Sequence, residues 1–548
     1  MKTKILKIHP HDNVLVALCD LPAGEKIVFE NNAILLTDSI PAKHKFTERN
    51  MAPEEDIIMY GTLVGKATQA IAAGGAITTK NVKHEASSFT GKTKTTAWLP
   101  PDVTRWRNKT FMGYHRNDGQ VGVANYWLIV PMVFCENRNV TVIQQAFEEA
   151  LGFTKPNAYK NYVQELVALV QQGKPDAIHS LPFENASTSN EKKVFRNIDG
   201  IKFLRHEGGC GGTRQDAEAL CALLAGYINN PNVAGATVLS LGCQHAQTSI
   251  LKEKLQHHNP NFSKPLLIFE QQQAGTEEEL LVQAIRQTFS ALIKADEQER
   301  KPAPLSKLVI GLECGGSDGF SGISANPAVG HASDLVVALG GKTVLSEFPE
   351  LCGVEQELIN RCTDDDTANR FIHLMHTYAK AAAVAGSGFD MNPSPGNIKD
   401  GLITDAIKSA GAAKKGGTSP VADVLDYGEY IRKPGLTLLC TPGNDVESTT
   451  AMTGSGCNII LFTTGLGTPT GNPITPVIKI SSNSSLAARM PDIIDLDSGA
   501  VISGEKTIQE VGEEILDYIL EVASGHIKTK AEILRQDDFI PWKRGVSL

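Results

Sequence analysis

One glycine-rich segment of the chain combines residue types that proton transfer and metal binding require. The run GLECGGSDGFSG, residues 311–322, places Cys314, Ser317 and Asp318 among five glycines, directly after the apolar run SKLVI. Glycine weakens regular structure, so this density predicts a loop in which the backbone turns sharply or approaches another group closely. Because the apolar run is typical of a strand, we expect this loop at a strand's carboxyl end, where ligands bind in open α/β sheets.

Other apolar runs of the chain also end in small polar residues. The stretches LGCQH, TPGND and FTTGLGTPTGNP each follow a strand-like run, and two prolines restrict the shape of NPSPGN. Since parallel strands bring their carboxyl ends to one edge of a sheet, we expect these loops to meet around a small polar ligand. The run GLGTPTG lacks the Gly-Lys-Ser/Thr ending of a P-loop, so no nucleotide is expected there.

Composition restricts the class of protein. The chain has 548 residues, a formal net charge of −9 and no basic stripe, so nucleic acid is not an expected partner. Ten cysteines in a chain of this size do not indicate a disulfide framework. No run of about 18 apolar residues predicts a membrane span, and MKTKILKIHPHDN lacks the apolar run of a signal peptide. We therefore expect a globular, cytoplasmic enzyme with reduced cysteines.

Strand and helix patterns divide the chain into three folded units. Residues 1–85 carry short apolar runs closed by turn residues, which predicts a small all-β domain, and the polar residues 86–110 predict a linker. From residue 111 onward strand-like and helical runs alternate, which is typical of α/β layers with largely parallel sheets. We place two α/β domains at residues 111–260 and 261–548. A small domain on a linker could reach a neighbouring subunit, which favours a homo-oligomer such as a dimer.

Long motifs of this sequence resemble one protein family. The segments GLECGGSDGFSGISANPAVG, NPSPGN, TPGND and FTTGLGTPTGNP are similar to those of the altronate and galactarate dehydratases. The N-terminal KIHPHDNVLVAL and PAKHKF resemble the family's small β-clip domain, called the SAF domain. The resemblance covers nearly the whole chain, and PGNDVESTTAMTGSGCN with the closing WKRGVSL is closer to the altronate branch.

The resemblance implies a metal-dependent hydro-lyase. The expected reaction dehydrates D-altronate to 2-dehydro-3-deoxy-D-gluconate, and members of the family depend on Fe²⁺, or on Mn²⁺ in its place. Such a reaction removes a weakly acidic proton beside a carboxylate and expels the β-hydroxyl, so it needs a base, an acid and stabilisation of the enediolate. The alternatives are galactarate, another 2-hydroxy acid such as sulfolactate, and a non-catalytic sugar-acid binding protein.

The motifs contain the residue types that this chemistry needs. His206 and Cys210, in RHEGGCGG, are predicted to be catalytic together with Asp318. His206 is the first choice for base or acid, because an imidazole exchanges protons near pH 7. The residues predicted to bind the substrate's carboxylate and hydroxyl groups are Lys45, Ser317, Asn326, Asn392, Asn397, Asn444, Asp445, Thr464 and Thr468.

Two alternative sets of residues are predicted to bind a metal. The first lies at turns of the small domain and consists of His9, Asp12 and His44. Thr78 and Lys80 stand where some relatives carry the two histidines of a His-x-His-Asn stretch. The second set has thiolates suited to an iron–sulfur cluster and consists of Cys135, Cys210, Cys243 and Cys314. Cys352 is predicted to be a core or incidental residue.

Overall fold

The computed structural model describes residues 4–29, 32–153, 158–183 and 193–548. The described part of the N-terminal domain is built from short strands and turns, as the sequence predicts. Its strands are β1 Ile5–Leu6, β2 Val14–Ala17, β3 Lys26–Phe29, β4 Asn32–Leu35, β5 Lys45–Thr47, β6 Asp56–Met59, β7 Thr62–Ala67 and β8 Val82–Lys83. They form three small antiparallel sheets of order β1-β2-β5, β3-β4 and β6-β7-β8.

The segment after this domain, residues 84–109, contains neither strand nor helix and runs along the C-terminal domain. The backbone N–H of Thr90 donates to Gln356 Oε1 at 2.9 Å, and the N–H of Thr93 donates to Asn360 Oδ1 at 3.0 Å. The predicted linker is therefore an irregular segment that is bound to the protein surface along its length.

Helices pack against the strands of the two larger domains. In chain order they are α1 Asn137–Ala150, α2 Ala158–Gln171, α3 Arg214–Asn229, α4 Thr248–His258, α5 Gln271–Ala274, α6 Glu277–Ala295, α7 Ala325–Ala338, α8 Glu355–Arg361, α9 Asp365–Val384, α10 Pro395–Lys399, α11 Asp405–Ala412, α12 Asp445–Gly454, α13 Ser484–Arg489, α14 Ala500–Ser503, α15 Ile508–Ala523 and α16 Lys530–Leu534. Each helix in the described ranges is too short or too polar to traverse a lipid bilayer.

The second domain has a parallel sheet of four strands, in the order β12-β11-β13-β14. The strands of this region are β9 Thr110–His115, β10 Val121–Gly122, β11 Tyr126–Pro131, β12 Gly200–Phe203, β13 Val233–Ser240, β14 Leu266–Glu270 and β15 Lys301–Pro304. The predicted domain boundary at residue 260 is wrong, because β14 pairs with β13 of this sheet and α6 packs on both strands. An apolar run identifies a strand without saying which sheet it joins.

The C-terminal domain has a parallel sheet of seven strands, in the order β18-β19-β17-β16-β20-β21-β22. Its strands are β16 Val309–Cys314, β17 Lys342–Leu345, β18 Val421–Leu425, β19 Gly435–Leu439, β20 Ile459–Thr464, β21 Val477–Ser481 and β22 Leu496–Asp497. All residues of the adjacent strands β16 and β20 are buried, as expected for strands covered on both faces. The α/β architecture predicted from the sequence is confirmed.

The N-terminal domain shares a hydrophobic core with the C-terminal domain. Met51 and Ile57 of the small domain belong to the same buried cluster as Leu345 and Phe348 of the large one. This shared core fixes the small domain beside the carboxyl ends of the seven-stranded sheet, where the polar loops lie.

Candidate active site

Four buried residues meet at the carboxyl ends of β16 and β17. Cys314 is the last residue of β16, and Glu347 and Glu350 follow the parallel neighbour β17. Lys415, from the 3₁₀ turn after α11, places its Nζ 2.7 Å from Cys314 Sγ and 2.9 Å from Glu347 Oε2. Cys314 Sγ also lies 3.3 Å from Glu350 Oε2. A thiol, two carboxyls and an ammonium therefore share one solvent-shielded position.

Lys415 is the central cation of this group. Burial alone would lower the pKa of its ammonium, but the Cys314 thiol and the Glu347 carboxyl outweigh burial and hold that pKa well above its usual value. Lys415 therefore stays protonated and provides a fixed positive charge.

Glu347 combines backbone strain with an unpaired oxygen. Its φ of 64° and ψ of 61° lie in the left-handed region, which costs a non-glycine residue about 1–3 kcal/mol. Its backbone N–H donates to Thr441 Oγ1 at 2.8 Å, whereas its buried Oε1 lacks a hydrogen-bond partner. Burial and the Glu350 carboxyl raise the pKa of Glu347. Strain that persists at a buried, incompletely satisfied acid is typical of a functional residue.

A second ammonium, that of Lys408 in α11, lies at the outer side of this group. It donates to Glu350 Oε1 and to Asn392 Oδ1, both at 2.6 Å. Burial lowers the pKa of Lys408, but Glu350 and Cys314 outweigh it and raise the pKa overall. Lys408 and Asn392 retain some solvent exposure, so they mark the side from which a ligand can approach.

Asp445, the first residue of α12, explains one glycine of the GLECGGSDGFSG run. A Cβ atom at Gly315 would lie 1.9 Å from Asp445 Oδ2, so only glycine leaves room for this carboxyl. Burial, with Glu347 and Glu350, raises the pKa of Asp445 to about 7. The glycine loop thus permits a close approach between the end of β16 and an acid that titrates near neutrality.

Acidic groups outnumber basic ones at this edge of the sheet. The complete set, which we term the charged cluster, consists of Glu313, Cys314, Glu347, Glu350, Lys408, Lys415 and Asp445. Its four carboxyls exceed its two ammoniums by two negative charges when all are ionised. The donor atoms of Cys314, Glu347 and Glu350 lie within 4.8 Å of one another. This mixed thiol and carboxylate set, together with its missing positive charge, fits a divalent cation.

Asp318 connects the glycine loop to the N-terminal domain. Its Oδ2 lies 3.1 Å from Lys43 Nζ, and its Oδ1 accepts hydrogen bonds from the hydroxyls of Ser321 and Ser482 at 2.9 and 2.8 Å. Lys43 also pairs with Asp400 at 2.9 Å. Both oxygens of Asp318 already have partners within the protein, so Asp318 holds the loop in place. These contacts do not support the catalytic role expected from the sequence.

The structure brings several of the predicted substrate-binding residues together. Asn392 and Asp445 lie in or beside the charged cluster. Thr464 and Thr468 lie next to Gly316, where a Cβ atom would be 3.3 and 2.8 Å from their hydroxyl oxygens. Asp445, Thr464 and Thr468 therefore lie against the glycine loop and Asn392 lies beside Lys408, while their role in substrate binding stays a prediction.

The other predicted binding residues hold loops in place. Asn397 Nδ2 donates to the carbonyl of Ser317 at 2.8 Å, and Asn326 Oδ1 accepts from Thr463 Oγ1 at 2.6 Å. Asn444 caps α12 by accepting backbone N–H groups of its first turn. These contacts fix the shape of the loops around the charged cluster.

His206 and Cys210 belong to a loop of the second domain and line a different cavity, of about 330 Å³. His206 Nε2 lies 2.8 Å from the Pro131 carbonyl, and the Gly208 N–H donates to Nδ1 at 3.1 Å. Burial lowers the pKa of His206 to about 4. Since backbone groups occupy both ring nitrogens, the geometry does not support His206 as the base, and the exposed Cys210 does not join the charged cluster.

The predicted four-cysteine set is divided between two domains. Cys314 is buried at the end of β16, whereas Cys135, Cys210 and Cys243 are exposed residues of the second domain. Among the described residues, the groups of three or more potential ligands within 4.8 Å of one another include Cys314 and none of the other three. The arrangement does not support one cluster bound by all four thiolates.

The predicted ligands of the small domain have other partners. The Asp12 carboxylate accepts the backbone N–H groups of His9 and Gly61 at 3.0 and 2.8 Å, so Asp12 stabilises turns. His44 Nε2 lies 3.0 Å from the Lys399 carbonyl of the C-terminal domain. His9, Asp12 and His44 form no compact ligand group among the described residues.

Lys45 is buried at the contact between the same two domains. Its Nζ donates to the Gly401 carbonyl at 2.6 Å, and burial lowers its pKa to about 7. Lys45 therefore supports the domain contact. It does not contact the charged cluster, so the structure gives no support there for its predicted role in binding a carboxylate.

Sequence reasoning missed most of the charged cluster. The residues that it did not identify are Glu313, Glu347, Glu350, Lys408 and Lys415. The available signal was charge in an apolar context, because VLSEFPE directly follows a strand-like run and AAKKGG interrupts a run of small residues. Acids and lysines at such positions are seldom fully buried unless they are paired.

Three family profiles match consecutive parts of the chain. Residues 3–85 match the "Altronate/galactarate dehydratase SAF domain" and residues 113–296 match "D-galactarate dehydratase/Altronate hydrolase, second domain". Residues 305–547 match "D-galactarate/Altronate dehydratase, C-terminal". The second match includes β14 and α6, in agreement with the sheet to which they belong.

Curated relatives cover almost the full chain. It is 34% identical over 522 residues to altronate dehydratase of Bacillus subtilis (strain 168) and, equally, to that of Escherichia coli (strain K12), across 95% of this chain and of each relative. It is 30% identical over 533 residues to galactarate dehydratase (L-threo-forming) of E. coli (strain K12), across 96% of this chain and 93% of that relative.

Proposed function

This chain belongs to the altronate and galactarate dehydratase family and is a hydro-lyase, and from this premise we propose that it dehydrates D-altronate to 2-dehydro-3-deoxy-D-gluconate. The higher identity to relatives named altronate dehydratase, 34% against 30%, supports altronate over galactarate. Membership in a family of hydro-lyases also argues against a non-catalytic sugar-acid binding protein.

The single observation that carries the mechanism is the contact of Lys415 with Cys314 and Glu347 inside the charged cluster. Loss of the C2 proton gives an enediolate, which adds a second negative charge to the carboxylate group. Fixed cations lower the free energy of such an intermediate because they do not have to reorient as charge develops. Lys415 supplies one cation, and Lys408, at the accessible side, supplies the second.

Glu347 is the proposed base. Its Oε2 pairs with Lys415, while its buried Oε1 has no well-formed hydrogen bond, although the Glu313 carboxyl lies close to Glu347. We assign Oε1 to the substrate C–H group. A carboxylate with a raised pKa is a stronger base than one in water, so burial improves its ability to take a proton from carbon. The strained backbone of Glu347 is consistent with this role.

Asp445 is the proposed acid. A pKa of about 7 leaves a substantial protonated fraction at neutral pH, and the carboxyl lies directly against the glycine loop. Asp445 donates its proton to the C3 hydroxyl as the C3–O bond breaks, and water leaves. The resulting enol takes up a proton at C3 to give the 2-keto product.

Fe²⁺ or Mn²⁺ is the proposed cofactor, held by Cys314, Glu347 and Glu350. When bound, the ion would add positive charge beside the substrate carboxylate and the developing enediolate. Support comes from the donor set, in which Cys314 Sγ lies 3.7 Å from Glu347 Oε2 and 3.3 Å from Glu350 Oε2, and from the excess of two carboxyls over ammoniums. The iron–sulfur cluster predicted from Cys135, Cys210, Cys243 and Cys314 stays a separate prediction, which an assay of acid-labile sulfide tests.

Anaerobic assays test this proposal by measuring the 2-keto product. Altronate and galactarate are each assayed with Fe²⁺, with Mn²⁺ and with a chelator. We expect a higher kcat/KM for altronate and activity that depends on the metal. A preference for galactarate would reassign the substrate, and no product from either acid under any metal condition would reject the proposal. The homodimer and the cytoplasmic location stay predictions, which light scattering and cell fractionation test.

A further inference from the structure

A second compact group of potential metal ligands lies where the N-terminal domain joins the C-terminal domain. It contains His84, which directly follows β8, Cys352, which follows the turn that carries Glu350, and Asp405, the first residue of α11. Their donor atoms all lie within 4.8 Å of one another. Three segments that are distant in sequence therefore bring a nitrogen, a sulfur and an oxygen donor to one point.

The polar atoms of this group lack partners within the protein. Asp405 has no solvent exposure, and neither of its carboxylate oxygens receives a well-formed hydrogen bond, although the Cys352 thiol lies beside them. Nδ1 of His84 is likewise buried without a hydrogen-bond partner. Buried carboxylates are normally paired or bind a metal, because an unpaired one forfeits its hydration without compensation.

Burial and acidic neighbours disfavour the charged forms of Asp405 and Cys352 in the metal-free protein. Burial and the nearby Glu350 raise the pKa of Asp405 well above its usual value, with Lys408 only partly opposing them. Burial, Asp405 and Glu355 likewise raise the pKa of the Cys352 thiol. Burial lowers the pKa of His84. A bound cation would favour the ionised forms of Asp405 and Cys352, since metal ligands must be deprotonated.

We propose that His84, Cys352 and Asp405 form a zinc site that fastens the end of the N-terminal domain to the C-terminal domain. Zinc accepts mixed nitrogen, sulfur and oxygen donors, and three protein ligands leave one tetrahedral position for water. A site of this kind binds Zn²⁺ more tightly than Fe²⁺ or Mn²⁺. Cys352, which the sequence predicts to be a core or incidental residue, becomes a ligand.

The position of the site indicates what the metal would do. Cys352 lies two residues after Glu350, and Asp405 lies one helical turn before Lys408, so two of the ligands flank members of the charged cluster. A metal bound here holds the Glu350 turn, the start of α11 and the segment after β8 in one arrangement. The zinc site shares no residue with the proposed catalytic ligands Cys314, Glu347 and Glu350.

Cobalt substitution of the full-length protein tests the site without reference to turnover. Metal is removed with a chelator under reducing conditions, Co²⁺ is added, and the thiolate-to-cobalt charge-transfer band in the near ultraviolet is measured. Co²⁺ can also bind the thiolate of the proposed catalytic site, so Cys314→Ser is the background for this measurement. We expect a band that is retained in Cys314→Ser and in Cys314→Ser/Cys19→Ser, lost in Cys314→Ser/Cys352→Ser, and displaced by Zn²⁺. His84→Gln and Asp405→Asn should each weaken Co²⁺ affinity by at least about tenfold, since even changes beyond the direct ligands commonly do so.

Thermal unfolding shows whether each variant still folds. Zn²⁺ should raise the Tm of the metal-stripped wild-type protein and of Cys314→Ser, and should raise it much less in Asp405→Asn, whose side chain has the same shape. A cobalt band that persists in Cys314→Ser/Cys352→Ser, or a Tm of Cys314→Ser that Zn²⁺ does not raise, would overturn the zinc site. Either result leaves the proposed dehydration intact, because that proposal is tested by product formation.

Discussion

Lys415 Nζ and Cys314 Sγ lie 2.7 Å apart inside the C-terminal domain, where β16 ends. The contact joins the cysteine of the most distinctive sequence motif to a lysine that no motif includes. Because Glu347 lies 2.9 Å from the same ammonium, the pair also connects the end of β16 to the strained turn after β17. We therefore place the catalytic residues at the carboxyl ends of the strands in the seven-stranded sheet.

Lys415→Met should lower turnover by at least about 100-fold, because it removes the fixed cation that stabilises the enediolate. It should also lower the free energy of unfolding by about 3–5 kcal/mol, the usual cost of leaving a buried charge without its partner. Steady-state kinetics and urea denaturation measure the two effects. Lys414→Met is the matched control, since Lys414 is partly exposed and should tolerate the change. Equal kinetics of the two variants would remove Lys415 from the mechanism.

Glu347→Gln should lower kcat by at least about 100-fold with little change in KM, since the proposed base acts on a bound substrate. The amide preserves shape, so the fold should survive and circular dichroism should be unchanged. Exchange of the substrate's C2 proton with deuterated water separates proton abstraction from the later steps, and we expect it to be lost as well. Glu278→Gln, an exposed position in α6, serves as the control. Retained exchange in Glu347→Gln would assign the base to another residue.

The sequence was sufficient to predict the layers, the loop positions and the family, because periodicity and glycine-rich strand ends are local features. It identified Cys314, Asn392 and Asp445, which lie in or directly beside loops of distinctive composition. It could not identify Glu347 or Lys415, whose burial depends on which strands and helices become neighbours. The same limit explains why His206 was the first choice for base or acid. Only the folded backbone shows that a carbonyl and an N–H group hydrogen-bond to its two ring nitrogens.

The pH dependence of turnover should report Asp445. Burial with Glu347 and Glu350 raises the pKa of Asp445 to about 7, so an acid that must be protonated becomes less active as the pH rises through that value. Asp445→Asn should lower kcat and abolish this alkaline limb. Stability follows the same sign, because a raised carboxyl pKa contributes stability that is present below the unfolded value of 3.8 and lost as the pH rises toward about 7.

Two pH series, of kcat and of the urea midpoint, measure these effects for the wild type and for Asp445→Asn. The variant should lose less stability than the wild type between pH 4 and pH 7. An unchanged alkaline limb in Asp445→Asn would show that another group limits the rate there.

Lys43→Met should loosen the attachment of the N-terminal domain. Lys43 pairs with Asp318 at 3.1 Å and with Asp400 at 2.9 Å, and the Asp318 side chain has no solvent exposure. Removing the ammonium should lower the free energy of unfolding by about 1–3 kcal/mol and accelerate amide exchange in residues 41–46. Lys26→Met, an exposed lysine of the same domain, is the control. Unchanged exchange in Lys43→Met would mean that the other contacts, among them the shared hydrophobic core and the Lys45 hydrogen bond, hold the domain without Lys43.

Gly315→Ala tests whether the glycine loop exists to admit Asp445. The added Cβ atom would lie 1.9 Å from Asp445 Oδ2 and 2.7 Å from Phe462 Cζ, so the carboxyl must move while the buried ring resists displacement. We expect a fall in kcat of about 100-fold, the size of a lost acid group, and an altered alkaline limb of the pH profile. Gly91→Ala is the control, because no heavy atom lies within 4 Å of its added Cβ. If Gly315→Ala kept both its turnover and its pH profile, the close approach of Asp445 to the loop would have no part in catalysis, and the acid would have to be sought elsewhere in the charged cluster.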